Sequence, residues 1–335
     1  MSTPIPEVNN IKLDTLYTST WDAMLEAGAV DIIYDATPLT HFLMKSGNVK
    51  TQVGGKSLIQ RLIYGKNTNT KFVSKGEQIV IEKQEIATQA TYHWKHGASH
   101  MKRYWQDDQM NAGSAQIADM VEEDIMVAKA GIVDTLERIF LSATQNPLEP
   151  NSLNTIISKT PNSDTDLVGG LCGKTYPMWQ NRVKASDGLA AVVLLKETAN
   201  LLNTCSRGGA GDAAGNDKPN LILTSQFVYE LYQQEIISML KLAPTDETIP
   251  FPNVSYKGTS IMWSPSCDED EKTARFLNTK YLKMVIDPTY HLKLGAWEKI
   301  PNTVNDRVAF IPLVMNLTCS NRAKQGVLTG IKAVA

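Results

Sequence analysis

The chain has 335 residues, which exceeds the roughly 250–300 residues at which a single hydrophobic core stops growing, so we expect two subdomains. Its 33 basic and 35 acidic side chains leave a net charge of -2, which excludes the strong positive field of a protein that grips nucleic acid and leaves only weak, local contact with a polyanion. The four cysteines are spread singly without a C-x-x-C pair, which excludes a disulfide framework and indicates reduced thiols of an intracellular product.

The amino-terminal segment predicts an extended arm. It lacks the basic flank and apolar run of a secretion signal, and no apolar run in the chain reaches the roughly 18 residues that span a bilayer. The sequence therefore predicts a soluble protein that is made in the cytoplasm and does not contact a membrane. Pro4 and Pro6 fix φ and withhold backbone donors. We expect residues 1–47, with a weakly amphipathic segment at 15–28, to extend over a surface as an arm.

The next segment predicts a long antiparallel hairpin. Two β-rich runs, residues 57–64 and 78–83, bracket a polar tip at 65–71 that is rich in Gly, Asn and Thr. A two-stranded hairpin is marginal in water. We therefore expect it to lie on another surface, in its own chain or in a neighbouring one.

Residues 114–142 predict a helix about 40 Å long. Apolar residues recur every three or four positions, and charged residues occupy the other sides. The apolar positions are Ile117, Val121, Ile125, Ala128, Ile132, Leu136 and Ile139. The charged positions are Glu122, Glu123, Asp124, Lys129, Asp134, Glu137 and Arg138. A one-sided apolar stripe is core in most soluble helices, so we interpret it as a packing face and not as a cofactor site.

The second half alternates helix and strand. Residues 186–205 predict a helix that stops near Gly208-Gly209, where a residue without Cβ takes a left-handed conformation. A short apolar strand at 220–224 follows, and Ser225 is a predicted N-cap for the next helix. The pattern indicates a compact α/β unit over residues 182–300.

The chain closes with a predicted half-buried strand over residues 307–319. Strict alternation places one set of residues on a single apolar face: Ala309, Ile311, Leu313, Met315, Leu317 and Cys319. Pro312 cannot donate a backbone hydrogen bond, so it favours an edge or bulge position.

Three histidines, His93, His96 and His100, are candidate metal ligands because imidazole commonly binds divalent metals. Gly97 and Ser99 interrupt a helix that would align His96 with His100, and strand alternation points His93 and His96 to opposite faces. The ordinary interpretation of unrelated surface histidines is favoured.

Three further motifs resemble binding loops in composition alone. Gly54-Gly55-Lys56-Ser57 lacks the first glycine of a phosphate-binding loop, and strand-like residues flank it on both sides. The glycine-rich segment 208–215 follows a helix and precedes a strand, the reverse of a nucleotide site, so a flexible connection is favoured. Asp268-Glu269-Asp270-Glu271 lacks the alternating spacing of a calcium loop. We therefore assign no catalytic, cofactor-binding or metal residue and no cofactor.

The order of these segments resembles that of the major capsid proteins of tailed bacteriophages. The strings that carry the resemblance are Tyr92-His93-Trp94-Lys95 at the hairpin exit, Gly169-Gly170-Leu171, Tyr176-Pro177-Met178-Trp179, Tyr256-Lys257-Gly258, Leu277-Asn278-Thr279-Lys280-Tyr281 and Cys319-Ser320-Asn321-Arg322. The resemblance implies an α+β fold of the Hong Kong 97 type. It implies an arm at 1–47, an extended loop at 48–92, a peripheral domain at 93–181 plus 301–335 with a spine helix at 114–142, and an axial domain at 182–300.

The resemblance also implies a function. The chain would not be an enzyme but a coat protein of the virion, made in the host bacterial cytoplasm, that self-assembles into hexamers and pentamers of an icosahedral head. Expected partners are copies of itself, a portal protein, a separate scaffolding protein, a decoration protein and, weakly, packaged double-stranded DNA. The separate scaffold is expected because the arm begins almost at Met1.

Two alternatives stay open. An encapsulin nanocompartment has the same architecture and is also a shell. A metal-dependent α/β enzyme that uses His93, His96 and His100 is the alternative from another class, and it predicts a discrete oligomer with bound zinc. Some relatives link a lysine to an asparagine between subunits, and Lys66, Lys71 and Lys75 lie near the hairpin tip, but no sequence feature selects a partner for them.

Overall fold

The computed structural model describes residues 37–45, 47–65, 72–76, 78, 84–110, 120–186, 191–207, 217–239, 254–270, 272–290 and 292–332. Within them, the α-helices are α1 (Pro38–Lys45), α2 (Trp105–Met110), α3 (Met120–Leu141), α4 (Leu153–Ile156), α5 (Ala191–Ser206) and α6 (Gln226–Met239). Short 3-10 helices cover Pro177–Trp179, Pro265–Asp270 and Arg322–Lys324. No described helix is both long and apolar enough to cross a lipid bilayer.

The described strands fall into two larger sheets and two hairpins. They are β1 (Val49–Thr51), β2 (Leu58–Ile63), β3 (Ala87–Tyr92), β4 (Lys95–Arg103), β5 (Leu167–Val168), β6 (Leu171–Cys172), β7 (Arg182–Ala185), β8 (Leu221–Thr224), β9 (Val254–Tyr256), β10 (Thr259–Trp263), β11 (Ala274–Leu277), β12 (Leu282–Ile286), β13 (Glu298–Lys299), β14 (Arg307–Cys319) and β15 (Gly326–Thr329). The hairpins are β2–β3 and β5–β6.

The chain divides into two compact units. The smaller unit comprises, in its described part, segments of Ala98–Ile132 and Leu292–Pro312. The larger unit comprises Ala36–Gly97, Val133–His291 and Leu313–Ala335. Helix α3 and strands β4 and β14 each run from one unit into the other.

The core of the larger unit lies around a described six-stranded sheet with the order β7-β15-β11-β8-β10-β9. Strand β8 is buried at every position because β10 and β11 flank it. Helices α5 and α6 pack their apolar faces on this sheet, with Leu201 and Tyr232 among the buried residues. The predicted helix at 186–205 is confirmed over Ala191–Ser206, while residues 187–190 lie outside the described residues. The strand predicted at 220–224 and the helix after Ser225 are confirmed. The sheet also takes in β15, which the expected domain division placed in the peripheral domain.

Ser225 caps α6 as predicted, because the backbone N–H of Val228 donates to its Oγ at 3.4 Å. The predicted strand at 307–319 is confirmed as β14, and all six residues of its predicted apolar face are buried. Pro312 was predicted at an edge or bulge position; β14 pairs with β4, β12 and β13, so the edge alternative does not hold for the strand as a whole, and the bulge alternative stays a prediction. Pro312 is tolerated because it lies between Val308, where the β13 ladder ends, and Met315, where the β12 ladder begins.

The predicted partner of the first hairpin strand is wrong. Strand β2 pairs with β3, in a register that runs from Leu58 opposite Tyr92 to Ile63 opposite Ala87. The predicted second strand, 78–83, lies outside the described residues except for Gln78, which is not in a strand. The register follows from burial: Ala90 and Tyr92 point to the same face as Leu58, and all three enter the core.

The long helix is confirmed over Met120–Leu141, whereas residues 114–119 of the prediction lie outside the described residues. Ile132 and Leu136 are buried as predicted. The placement of Glu137 on the solvent side is wrong, because this carboxylate is only 1% exposed. Its burial is possible because polar groups of two other elements hydrogen-bond to it, as described below.

Candidate functional site

The β2–β3 hairpin has one docked face and one free face, so it is the candidate interaction site. Its inner face packs on a cluster in the larger unit. The buried members are Leu58, Ala90, Tyr92, Val168, Leu171, Trp179 and Val285. Because side chains alternate between the two faces of a strand, Leu58 on β2 and Ala90 and Tyr92 on β3 all point into this cluster. The prediction that the hairpin lies on another surface is confirmed for its inner face, which packs on its own chain.

Hydrogen bonds fix the base of the hairpin. The phenol of Tyr92 donates to the carbonyl of Cys319 at 3.0 Å, which ties β3 to the end of β14. The indole of Trp94 donates to the carbonyl of Gly55 at 2.9 Å, across the two chain segments that enter and leave the hairpin. Burial raises the pKa of the Tyr92 phenol far above its ordinary value, so this group stays a hydrogen-bond donor.

The turn of the β5–β6 hairpin presses against β3 through Gly169. The backbone N–H of Thr91 donates to the carbonyl of Gly169 at 2.9 Å. Gly169 has φ +61, and a Cβ there would lie 2.7 Å from the Cβ of Ala90. Only glycine allows both this backbone conformation and this approach. The string Gly169-Gly170-Leu171 therefore supports the hairpin.

The outer face of the β2–β3 hairpin is exposed and apolar at two positions. The side chains of Ile59 and Ile63 are 48% and 80% exposed. Arg61, between them on the same face, is also exposed. In the connecting loop, Phe72 and Val73 are exposed as well. A two-stranded element with free apolar side chains is suited to burial against another molecule.

A buried carboxylate holds helix α1, which was not predicted inside the expected arm. Glu137 on α3 accepts hydrogen bonds from the backbone N–H groups of Leu39 and Thr40, at 3.1 and 2.8 Å. The hydroxyl groups of Thr40 and Ser264 donate to it at 2.8 and 3.1 Å. These contacts cap the N-terminus of α1 and join it to α3 and to the end of β10. Burial raises the pKa of Glu137, and the same hydrogen bonds oppose that rise.

A second polar network fixes the C-terminal end of α3. The amide of Asn154 donates to the carbonyls of Leu141 and Ser142 at 3.3 and 2.8 Å. Arg275 on β11, itself buried, donates to the Asn154 carbonyl oxygen at 2.7 and 3.1 Å. Asp270 accepts from Arg275 at 2.8 Å. The end of α3 is therefore attached to the six-stranded sheet through a side-chain cap.

The closing string contains a fully buried guanidinium, Arg322. It donates to both carboxylate oxygens of Asp166, at 3.0 and 3.3 Å, and to Asn181 at 3.2 Å. It also donates to the carbonyl of Ile156 at 2.7 Å. A buried charge needs such complete pairing, so this string has a structural role in the larger unit.

The histidine candidates do not form a described metal site. His93, His96 and His100 are all exposed, and His96 and His100 lie on strand β4 and not on a helix. Within the described ranges, no group of three or more His, Cys, Asp or Glu side chains could hold a metal ion.

The other sequence candidates serve as connections or lie outside the described residues. Gly54 and Gly55, with φ of 57 and 98, lie in the connection between β1 and β2, and strands are found on both sides as predicted. Residues 208–215 lie outside the described residues. In the acidic run, Asp270 is engaged by Arg275 and by Lys159, whose Nζ is 2.7 Å away. Lys66 and Lys71 also lie outside the described residues, and Lys75 is exposed.

Sequence reasoning missed Glu137, Asn154 and the role of Gly169. Glu137 directly follows Leu136 in the sequence. No sequence feature distinguishes it from a glutamate that is exposed to solvent. The paired glycines at 169 and 170 did carry a signal, since such pairs mark turns with positive φ.

Comparison with known proteins identifies the fold. No protein-family model matches the chain, and no curated protein matches it in sequence. Among solved structures, a chain of the cyanophage A-1(L) capsid is similar with a TM-score of 0.64 and 12% identity, covering 91% of this chain and 95% of that chain. A capsid chain of the native GTA particle is similar with a TM-score of 0.56 and 11% identity, over 92% of this chain and 95% of that chain.

A chain of the SrpI encapsulin complex from Synechococcus elongatus is also similar, with a TM-score of 0.53 and 9% identity over 94% of this chain and 97% of that chain. At such identities the similarity establishes the fold. The chain therefore has an α+β fold shared with phage capsid proteins, as the resemblance to the Hong Kong 97 type predicted.

Proposed function

We propose that this chain is the major capsid protein of a tailed double-stranded DNA bacteriophage and self-assembles into hexamers and pentamers of an icosahedral head. The observation that carries the proposal is similarity to capsid chains over 91 and 92% of this chain. The free apolar face of the β2–β3 hairpin supports it, because a shell subunit needs surfaces that are buried only after assembly. The virion capsid is the proposed location, after synthesis in the host bacterial cytoplasm.

The proposed role is structural and not enzymatic, since the similar solved structures are capsid and encapsulin chains. Proposed partners are copies of the chain, a portal protein, a separate scaffolding protein, a decoration protein and, weakly, packaged DNA. We keep the division into arm (1–47), extended loop (48–92), peripheral domain (93–181 plus 301–335) and axial domain (182–300) as part of the proposal.

An encapsulin shell is the second candidate, because the SrpI encapsulin chain is similar over 94% of this chain. Both candidates predict closed particles, and the contents separate them. A phage head holds double-stranded DNA, whereas an encapsulin holds a cargo protein.

The proposal is tested by velocity sedimentation of the expressed protein, alone and with the products of neighbouring genes. We expect capsomers or shells that sediment far ahead of a monomer. A species that stays monomeric or dimeric under every condition contradicts the proposal. Nuclease-protected DNA in particles from infected cells supports the phage head, and a protein cargo without DNA supports the encapsulin.

A further inference from the structure

Three connecting segments meet at one end of the six-stranded sheet. Strands β8 and β10 begin at this end, and β11, which is antiparallel to β8, finishes there. Neighbouring strands lie about 4.7–4.9 Å apart, so the residues just before β8, in the β9–β10 turn and just after β11 are close together. These positions carry Lys218, Lys257 and Lys280. The fold therefore brings three lysines together that are distant in sequence.

The turn between β9 and β10 holds a lysine in an unfavourable backbone conformation. Lys257 and Gly258 have φ of 51 and 73 and form a two-residue hairpin loop. The first position of such a loop is usually Asn, Asp or Gly. The Nζ of Lys218 donates to the carbonyl of Lys257 and joins the turn to the segment before β8. A side chain that is kept at such a position despite strain is a candidate for function.

Asp217 is the only acidic residue within three sequence positions of any of these lysines, and other side chains already neutralise it. The Nζ of the buried Lys324 lies 3.4 Å from one carboxylate oxygen, and that of Lys280 lies 3.4 Å from the other. Lys324 also donates to the carbonyl of Ser206 at 2.9 Å. This contact places the next residue, the exposed Arg207, beside the same group.

The remaining cations of this surface are not neutralised within the chain. In the part of the chain that the structure describes, Arg207, Lys218 and Lys257 make no ion pair. Together with Lys280 they form the surface here called the basic end. The net charge of the chain is only -2, so this excess of positive charge is local. It attracts an anionic partner.

The composition of the basic end distinguishes a nucleic acid from a protein partner. Among the described residues, none of the large apolar side chains that are exposed belongs to its segments. The core of a protein interface is apolar, so this surface lacks what a protein partner would bury. The backbone of double-stranded DNA offers one negative charge per about 1.7 Å of helix axis and is bound through cations alone.

We propose that the basic end contacts the phosphate backbone of double-stranded DNA. This inference rests on the proposed function, in which the shell encloses such DNA, and it assigns residues to the weak, local contact that the net charge allows. The lysine and arginine side chains displace counterions from about three or four phosphates and do not read the base sequence. The logarithm of the binding constant should then fall with the logarithm of the salt concentration with a slope of about -3.

The test measures binding of a short labelled DNA duplex to the purified full-length chain by fluorescence anisotropy, between about 0.05 and 0.2 M salt. One variant neutralises the three lysines of the basic end: K218Q/K257Q/K280Q. The control neutralises three exposed lysines elsewhere in the larger unit: K50Q/K196Q/K272Q. We expect the first variant to bind about tenfold more weakly or worse, with a salt slope reduced by about 2–3, and the control to bind like wild type.

Lys257→Asn separates the effect of charge from an effect on folding. Asparagine is favoured at the first position of this turn, so the melting temperature should stay unchanged or rise while DNA binding weakens. Unchanged DNA binding by K218Q/K257Q/K280Q, or an equal loss in the control, contradicts the inference.

A competition experiment tests the class of partner. Duplex DNA should displace the labelled duplex better than polyglutamate does at equal charge. The reverse order assigns the basic end to an acidic protein and contradicts the inference. The proposed function fails separately, because sedimentation of wild type reports shells whether or not the chain binds DNA.

Discussion

Glu137 links three separate segments of the larger unit, because it accepts hydrogen bonds from α1 and from Ser264 while lying on α3. Glu137→Ala leaves the backbone N–H groups of Leu39 and Thr40 without their acceptor. We expect a loss of about 2–3 kcal/mol in the free energy of unfolding. The control is Arg138→Ala at the neighbouring exposed residue, which should change the free energy of unfolding by less than about 0.5 kcal/mol. Denaturant unfolding measures both, and equal effects would contradict the assigned role of Glu137.

The same carboxylate predicts a pH dependence. Burial raises the pKa of Glu137 above its ordinary value of 4.5 in the folded protein. The folded chain then retains a proton that the unfolded chain has released, so the contribution of Glu137 to stability falls as pH rises from 4.5 through the folded-state pKa. Unfolding from pH 4.5 to 8 should show wild type losing stability relative to Glu137→Gln. A constant difference across this range would contradict the raised pKa.

The cysteines predict a simple labelling pattern. Burial raises the pKa of the Cys205 and Cys319 thiols to about 12, so they are not thiolates at pH 8. Cys267 is buried as well, whereas Cys172 is partly exposed. Ellman's reagent should therefore react quickly with one thiol per native chain and with four after unfolding. Fast reaction of Cys319 in the native chain would contradict its described burial.

At the scale of elements, the docking of the β2–β3 hairpin depends on the β5–β6 turn. Gly169→Ala would force a Cβ to 2.7 Å from that of Ala90, so we expect a loss of about 2 kcal/mol or more and faster proteolysis in the hairpin. Gly170→Ala is a matched control, because it also has positive φ but no atom within 4 Å of the added Cβ. The Gly170→Ala variant should lose about 1 kcal/mol in the free energy of unfolding, from backbone strain alone. Equal losses would contradict the close approach.

The elements themselves were largely predictable, and their pairing was not. The period of β14 and the N-cap at Ser225 are local signals, and both are confirmed. The hairpin partner was predicted from the apolar run at 78–83, whereas β2 pairs with Ala87–Tyr92, which has a weaker apolar pattern. The observed pairing places Ala90 and Tyr92 in a buried cluster with Trp179 and Val285, which are distant in sequence. Burial of Glu137 likewise depends on α1 and Ser264, so the position of Glu137 along α3 could not reveal it.

At the scale of the whole molecule, assembly should depend on the free face of the β2–β3 hairpin. I59D/I63D places two charges on side chains that are exposed in the single chain, so the subunit should fold with nearly unchanged stability. Assembly should fail because these charges would be buried without partners in an interface. The control is Val183→Asp, on an exposed position of β7. Normal particles from I59D/I63D would show that this face is not part of a contact.

Electron microscopy of the purified wild-type chain, with and without the proposed scaffolding protein, tests the central claim most directly. Closed polyhedral shells built from rings of six and five copies are the predicted result. A population of single folded chains or small dimers, under conditions that keep the protein native and concentrated, would contradict the claim that this chain is a shell subunit.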